Sequence, residues 1–559
     1  KHARAGNKQG ALEARAARLG LTEFAKPFER PTTALKLLER GGAQWPAAVQ
    51  YLSKKDVGAL IALFRTLAPW LLNHPADVAA VAETMERAIG ALASLRLAKA
   101  KKVADINGQS VDEWRETIVD ACVKGALVKL LRMTEKLHEG RSVRPRPKRG
   151  TVAEERLKKM RTCALQCTNP GGISTAVKIL ESTGCAPATQ ATFDALVALT
   201  PKPERDMAES TRESLEESLQ KELIFLDEST VKRAIRSAPK GRTKDLDGVR
   251  FEHLQGILTH GGEIAGKFFT LLFETMARHP ATMSTTISKA RSVGVYKKDS
   301  SIRPIGITSV LRRIWGKTIL LEHGETFKTH LTERCAQATQ LAVGVRGGAM
   351  QAGIAVNLLR EANPDHIHLQ LDVKNAFNCV CRDRMIRAVM KMSTKNEKER
   401  KARHALLAFV AALYAQGPQA LTFFIEGEAK KFQCGRGVTQ GCGLGTLLFA
   451  ITFNDIIADT FETRKEKFKQ TFVTAYADDA TVSGPATEVF EYAKELGKRC
   501  ESEASLTIKE HLVLDGATEQ NHQALSILGQ GLNGLEVGRK GITFAGNPIG
   551  DIGFINEEV

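Results

Sequence analysis

The sequence predicts an α-helical N-terminal domain followed by a mixed α+β unit. Three observations carry this reading. Apolar residues recur at three- and four-residue spacing through the first 138 residues, the mark of helices that bury one face. The stretch "HIHLQLDV" (366–373) alternates apolar and polar residues strictly, the mark of a half-buried strand. From about residue 226 onward such strand-like stretches alternate with helix-like ones. At 559 residues the chain exceeds what one hydrophobic core supports, so several compact units are expected. Their boundaries are read as 1–138 for the helical domain, 139–225 for a basic linker with a helical extension, then 226–344 and 345–559.

The helical domain is carried by "ALEARAARLGL", "VGALIALFRTLAPWLL" and "VAAVAETMERAIGALASLRLAKAKKVA". "EGRSVRPRPKRG" (139–150) then breaks the pattern with two prolines among basic residues and reads as a linker. A polar, Glu-containing stretch follows. Asp227 to Thr230 offer N-cap residues, "VKRAIRSAP" reads as a short helix stopped by Pro239, and "KGRTKDLDG" reads as a basic loop. No internal repeat interrupts this order.

Lys and Arg number 80 against 63 Asp and Glu, a formal net charge of +17. Such an excess points to a polyanionic partner, because neutralised phosphates release counterions whatever the base sequence; a merely soluble basic surface is the bland alternative. Ten cysteines are scattered without a framework, which reads as reduced thiols in an intracellular protein. Cys163, Cys167 and Cys185 lack a second paired motif or a histidine pair, so buried thiols are expected there rather than zinc. No apolar run reaches the roughly 18 residues of a membrane helix, and "KHARAGNKQG" lacks the apolar centre of a secretory signal, so no membrane partner is expected.

In "HIHLQLDV" one face holds Ile367, Leu369, Leu371 and Val373, and the other His366, His368, Gln370 and Asp372. The strand therefore delivers Asp372 to its polar face at its end. "KQTFVTAYADDATVSG" reads as strand, tight turn and strand, with Asp478 and Asp479 at the turn. Each aspartate alone suits a solvated turn. If the two strands lie side by side, Asp372 and Asp478 make an oxygen-rich site of the kind that binds Mg²⁺ together with substrate phosphates. Between them "RGVTQGCGLGTLLFAITFNDIIADTF" is a glycine-rich loop leading into an apolar helix from about Thr446.

In this order the elements resemble the reverse transcriptases of LINE-type (non-LTR) retrotransposons, over roughly residues 226–551. "LDVKNAF" looks like the first palm motif, "RGVTQGCGLGTLLF" like the RGVPQGSPLSPLLF pattern and "YADD" like the catalytic hairpin. "YKKDSSIRPIGITSVLRRIWGK" resembles the fingers motif, "APKGRTKDLDGVRFEHL" the extra N-terminal motif and "ITFAGNPIG" the primer-grip hairpin. The resemblance implies right-hand polymerase fingers and palm with an antiparallel palm sheet, preceded by the helical domain. Residues 226–344 would hold the N-terminal motif and fingers, and 345–559 the palm through the primer-grip-like hairpin. The chain stops soon after "AGNPIG", so the thumb and any C-terminal endonuclease are expected outside it.

The same resemblance implies an RNA-directed DNA polymerase that copies template RNA from a DNA primer, a nicked target DNA end, with dNTPs, in the nucleus. Asp372 and Asp478 would hold two Mg²⁺ ions, with Mn²⁺ as a substitute, and Asp479 would lie beside them. Arg303 and Lys297 or Lys298 would contact the triphosphate, Phe377 would exclude a ribose 2′-hydroxyl, and Gln440 and Gly441 would lie under the nucleotide. Tyr476, Gly546 and Pro548 would seat the primer end. Thr439 replaces the usual proline and Cys442–Gly443 the usual Ser-Pro, which implies a more flexible loop. The family's late lysine falls on Leu512, with Lys509 as a substitute, and Asn378 matches the site-specific branch that carries a restriction-like endonuclease. A domesticated, non-catalytic nucleic-acid-binding scaffold is the rival reading. An RNA polymerase or maturase fits less well, since viral RNA polymerases usually carry Gly before the Asp pair. Oligomeric state is not legible.

Overall fold

The computed structural model describes residues 51–100, 105–106, 108–139, 152–167, 176, 179, 184–202, 207–220, 224–283, 287–297, 300–464, 466–514, 535–537 and 541–550. The helix read in "ALEARAARLGL" and the linker from 140 to 150 lie outside them. Helices α1 (Lys54–Asn73), α2 (Val78–Ala100), α3 (Val111–Lys124) and α4 (Leu127–Glu139) form the N-terminal bundle. Two of them start on capping boxes, Ser53 with Asp56 and Ser110 with Glu113, which satisfy backbone N–H groups that have no partner within the helix. The Asp56 carboxylate, fully buried, also takes an ion pair from Arg115 of α3 at 2.7 Å, so one cap ties two helices together.

The bundle does not stand apart. Helices α6 (Phe251–His260) and α7 (Gly262–Arg278) lie against it, with α5 (Glu228–Arg236) packed on those two, and Phe64 stacks on Phe268 with ring centroids 4.2 Å apart and meets Phe269 edge-on. One apolar cluster runs from Leu52 through α7 to Ile451. Each fully buried side chain of this kind contributes roughly 1.5–3 kcal/mol.

Strands β1 (Ala290–Tyr296) and β2 (Ile302–Thr308) form an antiparallel hairpin. After it come α8 (Val310–Glu333), β3 (Ala338–Gln340), α9 (Gly348–Ala362), β4 (Ile367–Val373), α10 (Arg382–Met390) and α11 (Glu397–Leu413). A second hairpin, β5 (Gln419–Ile425) and β6 (Glu428–Cys434), precedes α12 (Gly445–Thr463). Then follow β7 (Phe472–Tyr476), β8 (Asp479–Gly484), α13 (Ala486–Ala504), β9 (Ile508–Leu514), β10 (Leu535–Val537) and the hairpin β11 (Gly541–Phe544)–β12 (Asn547–Gly550). The strands make a four-stranded sheet, β2-β1-β5-β6, and a six-stranded sheet, β10-β9-β4-β8-β7-β3. The fold is mixed α+β with mostly antiparallel sheets, as expected.

The alternation read in 366–373 explains the six-stranded sheet. Ile367, Leu369, Leu371 and Val373 face a core completed by Ala480 and Val482 of β8 and by Phe449 and Phe453 of α12. The other face differs from expectation, because it is covered at its start. Leu514 of β9, α9 and the β11–β12 hairpin form a further small core, and His368 is buried, with Nδ1 2.9 Å from Ser483 Oγ. Burial pushes the His368 imidazole down to about 4. Only the end of β4, at Gln370 and Asp372, stays partly open.

All ten cysteines are free; Cys163 is buried as expected, whereas Cys167 and Cys185 are exposed. No helix among the described residues is long and apolar enough to cross a membrane.

The basic loop 240–248 turns on an acid. Asp245 is buried and accepts the Val249 and Val310 amides, both at 2.8 Å, which anchors the start of α8. Glu86 of α2, also buried, takes the Ser309 hydroxyl. Burial first, then Asp245 and Asp247, holds the Glu86 carboxyl well above the usual carboxylate range, and burial with Asp247 pushes Asp245 up to about 7. The fold thus binds protons that the unfolded chain releases at lower pH, so stability falls as pH rises through about 7. Glu86→Gln keeps an acceptor for Ser309 without the charge. Its unfolding temperature should exceed that of the parent at about pH 8, and the gap should shrink toward about pH 5, when the two are melted side by side.

Candidate active site

Asp372 is the penultimate residue of β4 and is half-buried. Strand β8 runs antiparallel to β4 with Ala480 opposite Leu371, and one step further in that register brings Asp479 to Asp372. Strands β7 and β8 pair Tyr476 with Asp479, which leaves Ala477 and Asp478 as a two-residue turn. Asp479 is therefore the first residue of a strand rather than a turn residue. Ala477 takes φ +58°, the left-handed region that the first position of such turns usually gives to glycine. The buried side chain of Gln340, at the end of β3, holds both backbone groups of Ala477. Sequence reasoning missed Gln340. Its only signal is the second of two glutamines in the β-prone stretch "AQATQLAV".

The three carboxylates converge at this strand end. Burial, then Asp478 and Asp372, pushes Asp479 up to about 6. Burial and then Asp372 raise Asp478 as well, while Arg303 and Lys297 pull it down. Those two cations come from the β1–β2 hairpin, where Lys297 N–H donates to the Ser301 carbonyl at 2.8 Å and Ser300 takes φ 62° at the turn. Both are exposed. Lys298 lies outside the described residues. Among the described residues no group of three or more His, Cys, Asp or Glu side chains is gathered as a metal site; an ion at Asp372 and Asp478 would need oxygens from a substrate.

The glycine-rich loop joins the two sheets. Val438 N–H donates to the Phe377 carbonyl at 2.7 Å and Gly437 N–H to Val380 at 2.8 Å; on the other side Gly306 N–H of β2 donates to Gln440 at 2.7 Å. Gly441 takes φ +117°, and a Cβ there would stand 2.3 Å from the Gly306 carbonyl oxygen, so only glycine fits. The flexibility expected from Thr439 is not found. Its hydroxyl donates to Gln419 Oε1 at 2.6 Å, and the residue is buried. Buried Arg382 ties the loop further by donating to the carbonyls of Gly437, Gly417 and Cys434. Phe377 sits half-buried between these parts, 5.0 Å from the Phe449 ring centroid.

Tyr476 is half-buried beside the start of α9, where a Cβ on Gly348 would meet its ring at 3.4 Å. Gly546 turns the β11–β12 hairpin at φ +77°, and Pro548 pairs with Thr543. The hairpin reaches the polar face of β4, where Gln370 Nε2 donates to the Thr543 carbonyl at 3.0 Å, two residues before Asp372. Its seat on α9 is close: a Cβ on Gly353 would stand 2.9 Å from Asn547 Cβ. Leu512, at the late-lysine position, pairs with Gln370; the side chain of Lys509 lies outside the described residues.

Residues 295–511 match the family model described as reverse transcriptase (RNA-dependent DNA polymerase). The chain carries a reverse transcriptase domain. The matched span contains every expected site residue except Gly546 and Pro548. No curated protein matches the chain. Among solved structures, the chain is similar to telomerase from Candida albicans in complex with a fragment of telomeric RNA: 9% identity, 74% of this chain and 76% of that one covered, TM-score 0.34. It is also similar to apo telomerase from Candida tropicalis truncated from its C-terminal domain: 10% identity, 73% and 91% covered, TM-score 0.34.

Burial of Asp479, reinforced by the neighbouring carboxylates, sets a pH dependence. With its carboxyl raised to about 6, Asp479 contributes stability below the usual carboxylate range that is lost as pH rises through about 6. In the presence of a chelator, Asp479→Asn should therefore unfold at a higher temperature than the parent, with a gap that widens between about pH 5 and about pH 7.5 in paired thermal melts.

Proposed function

We propose that this chain is the RNA-directed DNA polymerase of a LINE-type retroelement, copying template RNA onto the end of a nicked target DNA. The observation that carries it is the convergence of Asp372, Asp478 and Asp479 opposite Lys297 and Arg303, within a reverse transcriptase domain. Half-buried carboxylates gathered at one strand end, with Asp478 and Asp479 raised by burial and by their acidic neighbours, are the right chemistry for a bound cation, whose charge removes the repulsion. Asp372 and Asp478 would hold two Mg²⁺ ions, or Mn²⁺, which supply Lewis-acid stabilisation of the attacking and leaving oxygens when bound with substrate.

The chain's own residues do the rest. Arg303, with its planar fork, and Lys297 bind the triphosphate of a dNTP and offset its charge. The Gln440–Gly441 backbone, pinned to β2, forms a floor on which the base and its template partner rest. Phe377, backed by Phe449, occupies the space that a ribose 2′-hydroxyl would need. Tyr476 and the Gly546–Pro548 hairpin flank the primer end, and the hairpin's bond to Gln370 keeps it beside Asp372. The LINE-type assignment draws its support from the N-terminal motif at 238–254, from "NPIG" and from Asn378.

A second reading, a domesticated non-catalytic scaffold that binds nucleic acid, is favoured by the absence of a three-ligand metal group among the described residues. Primer extension on a primed RNA template with Mg²⁺ and dNTPs separates the two. The Asp478→Asn, Asp479→Asn double variant should lose extension by on the order of 10³-fold or more, with RNA affinity kept within about twofold. A parent protein that binds RNA tightly and never extends the primer would favour the scaffold. In the same assay Phe377→Val should raise incorporation of ribonucleotides relative to deoxynucleotides by roughly 10- to 100-fold.

A further inference from the structure

The turn that carries Asp478 is not self-supporting. Ala477 lies in the left-handed region at φ +58°, a conformation that costs an L residue free energy. A two-residue turn also leaves Ala477 outside the β7–β8 ladder, whose last pair is Tyr476 with Asp479. One side chain corrects both faults. Gln340 Nε2–H donates to the Ala477 carbonyl at 3.1 Å, and Gln340 Oε1 accepts the Ala477 N–H at 2.8 Å. The same Oε1 also accepts the Ala342 N–H at 3.2 Å. Gln340 is itself fixed, because β3 pairs with β7 at Ala475 and Leu341 N–H donates to the Ala475 carbonyl at 2.9 Å. The side chain is fully buried, at 0% exposure.

We infer that Gln340 is a positioning residue for the polymerase reaction: its amide clamps the Ala477 peptide groups and thereby fixes where the Asp478 carboxylate stands relative to Asp372. The inference rests on the proposed role of those aspartates. Gln340 touches no reacting atom. A primary amide is the side chain suited to the task, since it offers a donor and an acceptor in one plane, matching one N–H and one C=O of the same residue. Buried and fully paired, such a clamp holds one geometry; with its partners removed, the Ala477 groups are orphaned in a dry site.

The test uses Gln340→Met, which keeps length and volume and removes both bonds, and Gln340→Glu, which keeps the acceptor. Two readouts are taken on the full chain: single-nucleotide incorporation on a primed RNA template, and amide hydrogen exchange of the peptide that contains Ala477. For the Met variant kcat should fall roughly 10- to 100-fold, with KM for the dNTP and affinity for primer–template within about twofold. Exchange at Ala477 should quicken about tenfold or more while the amides of Val473 and Val482 in the same sheet keep their protection. The Glu variant should lie between Met and the parent on both readouts. An unchanged kcat, or unchanged exchange at Ala477, overturns the inference. So does a fall in kcat accompanied by weaker primer–template binding, a lower melting temperature and sheet-wide exchange, which would make Gln340 an ordinary core residue. If the parent itself fails to incorporate nucleotides, the polymerase reading fails. Local exchange at Ala477 then tests the clamp alone, and the catalytic role assigned to Gln340 is rejected along with that reading.

Discussion

The pairing of β4 with β8 is the interaction on which the rest of the structure depends. Side chains on a strand alternate faces, so a slip of one residue between these two strands would send Asp372 into the apolar core and Leu371 into the cleft. The register is held by what lies on the buried face. Leu369 stands opposite Val482 and Leu371 opposite Ala480, over the aromatic side chains of α12. The carboxylates are thus placed by apolar packing on the opposite side of the sheet, which is also why repulsion among them does not move the strands.

The second constraint is the loop 436–445, which spans both sheets and leaves almost no room for variation. Gly437 and Gly441 each stand against a carbonyl where a Cβ would collide, at 2.4 Å and 2.3 Å. Where family resemblance implied a looser loop at Thr439, the hydroxyl finds Gln419 instead. A proline would stiffen the backbone; a threonine with a buried hydrogen bond reaches a similar end by another route.

How much of this was legible in the sequence depends on whether the signal was periodic. Strand β4, helix α12 and the aspartate hairpin were readable because alternation, helical spacing and tight-turn residues are local. The meeting of Asp372 with Asp478 and Asp479 required only that two strands be neighbours, and the order of motifs supplied that. The buried state of His368 was not readable, since its cover comes from β9, α9 and a hairpin some 180 residues downstream, where Thr543 and Ile549 lie. Glu86 lies in a stretch legible only as helix and Asp245 in one legible only as a basic loop, and neither pattern carries a signal for a buried acid. Gln340 left no trace beyond its identity, because a clamp on a distant peptide group has no spacing to detect.

Phe64 stacked on Phe268 gives the N-terminal bundle a meaning that its basic composition hides. The bundle shares one apolar core with α6 and α7 rather than standing as an appended module. Its boundary with the rest of the chain cannot be cut cleanly: a fragment starting near residue 226 would bare the faces of Phe268 and Phe269 to water. Such a fragment would self-associate through that patch, much as an exposed interior does in any truncated domain.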